Sequence, residues 1–430
     1  MDNNWVGCIP THFLLSTYPW TCHKYLVLMP KDDSFGADYL MTCNFPDIER
    51  LQRYKDDPKN GPRILFFSGG TALNGISRHL KEFTHNSIHL ITPFDSGGSS
   101  AILRHAFNMP AVGDIRSRLM ALADESINGQ SDVYKLFVYR LPKDRSQEQL
   151  KAYLKSIVDG EHDFIKAIKN PMHDIIVGHL QTFYNAMPDD FDLRIASIGN
   201  LILTGDYLSN NEKLDEVIDN YSNLVNVQGC VRAIINEKLH IGVELENGQI
   251  IVGQHLVTGK ETGPITSPIK EFFVARSKDE QTAINVEIDQ SRIDLIQSAE
   301  MICYPPGSLY SSVAANLLPR GVGKAIQSNP CPKVYFPSLG NDPERFGKTI
   351  DDSIFILLDL LKRDVGNICK MNELLNHVLI DPQHGVSLSE GTMQKLKELD
   401  IQVIEANLIS EETAPYYDPD LLLSNLLTLN

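Results

Sequence analysis

Two glycine-rich turns in this 430-residue chain have the make-up of an anion cradle. The first, Ser68-Gly69-Gly70-Thr71, follows the apolar run Ile64-Leu65-Phe66-Phe67 and precedes Leu73, Ile76, Leu80 and Phe83 at helical spacing. A strand that turns into a helix this way presents backbone N–H groups at the helix start, where the dipole also favours negative charge. Gly70, Thr71 and Ala72 are the donors expected to converge on a phosphate, and a Cβ on Gly70 would block the approach. A tight connection explains the Gly-Gly pair equally well. No Gly-Lys-Ser/Thr follows, so it is not a Walker loop, and Gly69, Gly70 and Gly75 miss the G-x-G-x-x-G spacing. The second turn, Pro305-Pro306-Gly307-Ser308, follows Met301-Ile302-Cys303-Tyr304. Its prolines lack N–H groups, which leaves Gly307, Ser308 and Leu309 as donors at a helix start, with Tyr310 and Asn316 nearby.

Asp95 stands after a second apolar strand, Ile88 to Phe94, and before Ser96-Gly97-Gly98-Ser99-Ser100. At the carboxyl edge of a parallel sheet such a carboxylate can accept ribose hydroxyls or coordinate Mg²⁺ beside a diphosphate. A helix cap would not require a run of five small residues, so Asp95 is the candidate catalytic and metal residue. Asp95-Ser96-Gly97-Gly98 also echoes the nucleophile segment of chymotrypsin-like proteases. That segment belongs to an all-β fold and has other neighbours than Phe94 and Ser99. Gly113-Asp114-Ile115-Arg116 reads as a capped helix start or as a phosphate clamp, and Asn200 as a cap or as a polar group reaching into a cleft. His162, His173 and His179 do not share a helical face at i, i+4 spacing and are not read as zinc ligands.

The elements that must hold these residues follow an α/β grammar. Apolar runs end in glycine and open into helical periodicity, which predicts a Rossmann-like, doubly wound, mainly parallel sheet with helices on both faces. Val243 to Gly253 predicts a β-hairpin turned on Asn247-Gly248. A strand is expected at Lys333 to Phe336 and a helix across Ser353 to Leu361. Residues 125–192 read as a mostly helical covering segment, and residues 1–60, with both tryptophans and the run Tyr25 to Met29, as an N-terminal extension before a main domain at 61–430.

Composition excludes several functions. With 39 basic against 55 acidic residues the formal charge is −16, so nucleic acid and anionic membranes are poor partners, while a small phosphate ligand held by backbone N–H groups remains open. Seven scattered cysteines without a C-x-x-C pair imply a reducing compartment. No signal peptide or long apolar run is apparent, and a cytoplasmic location is expected. A homodimer is left open.

The motifs also occur in a particular order: Ser68-Gly69-Gly70-Thr71, Asp95 to Ser100 with Leu103-Arg104, Gly113 to Arg116, Ser197-Ile198-Gly199-Asn200-Leu201, and Pro306-Gly307-Ser308-Leu309-Tyr310. In that order they resemble the CofD/YvcK family, from about Pro62 to a closing Tyr417-Asp418-Pro419. The resemblance implies a Rossmann-like fold and a nucleotide-diphosphate ligand. The transferase branch moves phospholactate from a guanosine-diphosphate carrier to a deazaflavin alcohol with Mg²⁺. The regulator branch binds uridine-diphosphate sugars and affects carbon and cell-wall metabolism. The resemblance makes Ser68 to Thr71, Ser96 to Ser100, Arg104, Asp114, Arg116, Asn200, Gly307, Ser308 and Tyr310 ligand-binding residues beside Asp95. Phe94, Ala101, Ala196 and Pro305 depart from the regulator pattern, and Ser338-Leu339-Gly340-Asn341-Asp342 replaces its Met-Thr-Gln segment.

Overall fold

The structure is a computed structural model that describes residues 23–27, 41–126, 130–259, 263–366 and 369–429. Trp5 and Trp20, with Leu28 and Met29 of the first apolar run, lie outside the described residues. In chain order the strands are β1 (His23–Val27), β2 (Met41–Phe45), β3 (Ile64–Ser68), β4 (Ile88–Ile91), β5 (Cys230–Ala233) and β6 (His240–Leu245). They continue as β7 (Ile250–Val252), β8 (Ile269–Ala275), β9 (Met301–Tyr304), β10 (Lys333–Tyr335), β11 (His377–Ile380) and β12 (Gln402–Glu405).

Seven strands form one parallel sheet in the order β12-β11-β10-β9-β3-β4-β5. Both faces are covered at the centre, which is why β3, β4 and β9 are buried along their whole length and largely apolar. Leu65 and Phe67 of β3 pack with Leu90, Tyr304 and Ile354 on one face. Ile64 and Phe66 pack with Ile76, Leu80, Cys303 and Leu422 on the other. Phe66 is fully buried, and its truncation to alanine would cost roughly 3–5 kcal/mol. The expected covering segment is helical: Gln130–Val138, Gln147–Val158, Asp163–Lys166 and Met172–Ala186. Together with the helix Ile198–Ser209 it builds a separate core around Leu136, Leu154, Leu180 and Ile202, which leans on Ile91 and Val231 of the sheet.

The predicted hairpin forms as β6 and β7, with Gly248 at φ 85°, and β8 adds a third antiparallel strand that the sequence did not suggest. Two expectations need adjustment. The strand toward Phe94 stops at Ile91, because Pro93 has no N–H to give the ladder. After Gly307 the chain makes no regular α-helix, only a π turn, Leu309–Val313, and a 3-10 turn, Ala314–Asn316. Pro58–Asn60 forms a 3-10 turn, and Leu51 of the helix Ile48–Asp56 is buried with Phe83.

Candidate functional site

The chain leaves β3 in two directions, through β4 and β5 on one side and from β9 out to β12 on the other. A crevice is expected where the strand order reverses, beyond the carboxyl ends of β3 and β9. A cavity of about 400 Å³ opens there, within the range of small-ligand sites. Ser68, Gly69, Gly70 and Thr71 line it from the end of β3, and Gly307 and Ser308 from the end of β9. Asp95, Gly97, Gly98, Ser99 and Ser100 enter after β4, and Asp114 and Asn200 complete the predicted set on its wall.

Missing side chains define its shape. A Cβ on Gly69 would meet the Ser312 hydroxyl oxygen at 2.7 Å, and one on Gly307 would meet Ser312 Cβ at 3.1 Å, so the two turns converge on one serine. A Cβ on Gly70 would meet Asp114 Oδ1 at 2.7 Å. The Cβ position of Gly113 lies 2.9 Å from Ser100 Oγ, 3.6 Å from Asp95 Oδ2 and 3.8 Å from Asn200 Nδ2. Three helices begin around this point: Gly98–Phe107, Gly113–Leu122 and Ile198–Ser209, with Asn200 in the first turn of the last and not ahead of it. Their dipoles favour negative charge there. Asn200 Oδ1 and Ser68 Oγ are buried in this wall without hydrogen-bond partners, a costly arrangement that a bound ligand or ion would relieve.

Buried cations stand behind the loops. Arg118 is fully buried, donates to Gly70 O at 3.3 Å and to Ser77 Oγ, and its pKa is lowered to about 9 by burial, against the attraction of Asp114. Arg104 donates to Phe94 O at 2.9 Å, to Asp95 O at 3.1 Å and to Leu239 O, and burial lowers its pKa to about 10. Neither guanidinium hydrogen-bonds a carboxylate among the described residues, so their positive charge reaches the cavity through low-dielectric protein.

Four expected ligand residues lie off the wall. Arg104 spends its donors on carbonyls that fix the Asp95 loop. Arg116 donates to Phe137 O at 3.0 Å and to Ser197 Oγ, joining the helix starts from behind. Ser96 Oγ accepts from His255 N at 3.3 Å and pairs with His255 Nδ1 at 2.9 Å. Tyr310 is buried edge-on against Phe272, and burial pushes its phenol upward. The second turn also keeps part of its N–H array for itself. Leu309 N donates to Asp342 Oδ2 at 2.8 Å, while Tyr310 N and Ser311 N donate to Glu344 Oε2 at 3.0 and 2.9 Å. Burial and the neighbouring Asp342 raise Glu344 to about 7.

Other wall residues were not singled out in the sequence. Arg140 and Ile195 come from the covering segment and the loop after it, and Gln254, His255 and Thr258 follow Gly253 at the end of the hairpin. A glycine closing a hairpin was the available hint for the last three. Asp95, Asp114 and the Ser100 hydroxyl supply hard oxygen donors on this wall, of the kind that fits Mg²⁺ bound together with phosphate oxygens. No group of three or more His, Cys, Asp or Glu side chains able to hold a metal occurs among the described residues. Nor is any described helix long and apolar enough to cross a membrane.

Known proteins resemble this chain in sequence and in fold. The gluconeogenesis factor of Bacillus subtilis is 27% identical over 288 residues, covering 66% of this chain and 69% of that protein. The gluconeogenesis factor of Listeria monocytogenes is 25% identical over 355 residues, covering 82% and 90%. The crystal structure of a UPF0052 family member from Bacillus halodurans has the same fold, with a TM-score of 0.62 over 86% of this chain and 99% of that one at 22% identity. The sequence model of CofD, described as 2-phospho-L-lactate transferase, matches residues 64–413, from the first residue of β3 to beyond β12. The parallel sheet, the two converging glycine turns and that match together place the chain in the CofD family.

Proposed function

We propose that the chain binds a nucleotide diphosphate across the junction of β3 and β9, where the Asp95 and Asp114 carboxylates would hold Mg²⁺. The observation that carries this reading is the pair of buried, unpartnered oxygens, Asn200 Oδ1 and Ser68 Oγ, beside two glycine turns that meet at Ser312. Charge supports it as well. Two carboxylates on the wall give a divalent cation a place beside a bound diphosphate. When bound, Mg²⁺ would neutralise charge on the diphosphate. The Gly70 turn offers backbone N–H groups to phosphate oxygens, and Asp95 and Asp114 orient the cation.

The first reading is a ligand-sensing role for this site in carbon metabolism, in keeping with relatives named gluconeogenesis factors. Transfer of a phospholactate group, of the 2-phospho-L-lactate transferase type, is the second reading, favoured by the family description and by carboxylates facing the cavity. Calorimetry with uridine and guanosine diphosphates and their conjugates, in Mg²⁺ and in chelator, tests the proposal. Asp95→Asn should weaken binding at least tenfold in Mg²⁺ and much less in chelator, a loss of about 1.4 kcal/mol or more. Equal affinities for variant and parent in Mg²⁺ would remove Asp95 from the site.

A further inference from the structure

Arg140 brings an exposed cation to the cavity wall, and no carboxylate pairs with it among the described residues. Its mounting is rigid. Ile195 N donates to Leu141 O at 3.1 Å, Leu141 N to Ala196 O at 2.9 Å and Ile198 N to Tyr139 O at 3.0 Å, so a short antiparallel clamp holds the backbone on both sides. Arg140 Nη1 donates to Ile195 O at 3.2 Å and lies 3.5 Å from Ser99 Oγ.

Ile195 is itself unusual. It is a β-branched residue at φ 59°, a left-handed conformation that such side chains rarely adopt, and it is 37% exposed on the cavity rim. Strain of this kind persists where surroundings enforce it, and it clusters at ligand clamps. Arg140 reaches the cavity beside Ser99, in the segment that follows Asp95, whereas the glycine turns enter it from the ends of β3 and β9.

We propose that Arg140, with Ser99 and the apolar face of Ile195, forms a rim subsite for a second anionic group carried by the ligand beyond its diphosphate. This deepens the nucleotide-diphosphate reading and rests on it. The guanidinium fork suits either a carboxylate or a further phosphate, and desolvation against Ile195 strengthens the pair relative to a surface ion pair. A neutral sugar in the same place would gain little from Arg140.

The test is calorimetry on the full chain in Mg²⁺ with uridine and guanosine ligands of four kinds: diphosphate, neutral sugar conjugate, uronic acid conjugate and triphosphate. The parent should bind the uronic acid conjugate or the triphosphate about tenfold tighter than the neutral conjugate, and which of the two is preferred identifies the anion. Arg140→Ala should erase that preference while leaving the plain diphosphate within about twofold, and Arg140→Lys should restore only part of it. A parent with no preference for the acidic ligands, or an Arg140→Ala variant that keeps it, overturns the subsite. An equal loss for all four kinds overturns it too, by assigning Arg140 to the diphosphate. If the parent binds none of them, the nucleotide-diphosphate reading itself falls and the subsite falls with it.

Discussion

Gly69 at the end of β3 and Ser312 beyond β9 lie so close that a Cβ on the glycine would stand 2.7 Å from the serine hydroxyl oxygen. Gly69→Ala therefore forces apart the two turns that Ser312 joins. Nucleotide-diphosphate affinity should fall at least about tenfold while the melting temperature drops only a few degrees, as expected for a local clash in a chain this size. The double variant Gly69→Ala/Ser312→Gly removes the opposing side chain and should regain most of the affinity. Calorimetry and thermal melts read both effects, and a single variant that binds like the parent would separate the turns from the site.

Arg118 is a buried cation whose hydrogen-bond partners are a carbonyl and a hydroxyl. Burying a charge carries a desolvation cost that an apolar side chain of similar length avoids. Arg118→Met should therefore leave the ligand-free melting temperature unchanged or higher. The same change withdraws positive charge from behind Gly70, so affinity for nucleotide diphosphates should fall several-fold. A variant that loses stability and keeps affinity would make Arg118 a structural residue only.

Glu344 titrates upward in the folded protein, to about 7 from an ordinary 4.5, through burial and Asp342. Between those values the folded state holds more protons than the unfolded chain, so this group's contribution to stability is complete below about pH 4.5 and declines as pH rises toward 7. Glu344→Gln keeps an oxygen for Tyr310 N and Ser311 N and an amide for the Ser311 hydroxyl, and it removes the titration. Melting temperatures taken from pH 5 to pH 8 should decline less in the variant than in the parent. Parallel pH curves would contradict this reading of the buried pair.

What the sequence revealed depended on how local each signal was. Ser68 to Thr71 and Asp95 to Ser100 each carry strand, turn and helix start within a dozen residues, and both reach the cavity wall. Arg104 and Arg116 were legible as motif members, but their direction was not. Whether a guanidinium faces a ligand or a carbonyl depends on packing partners such as Leu239 and Phe137, far away in the chain. The N–H groups after Gly307 were legible as donors, yet their acceptors, Asp342 and Glu344, follow a strand that forms only in the folded sheet. Arg140 and Ile195 had no local signature, since a left-handed isoleucine cannot be recognised from residue type. Of the extension at 1–60, the helix Ile48–Asp56 packs on the main core through Leu51, which a charged stretch with few apolar residues had not suggested.

The placement of β9 beside β3 also bears on how the protein is made. Asn316 Nδ2 donates to Ser68 O at 3.0 Å across a separation of 248 residues. During synthesis, β3 and β4 can pair early, but one edge of β3 stays open until β9 has emerged and inserted. A chain halted in the hairpin sheet would expose that edge and would lack the Gly307 turn. Ligand would therefore ignore nascent and truncated chains, and its binding would stabilise only molecules that have completed the sheet.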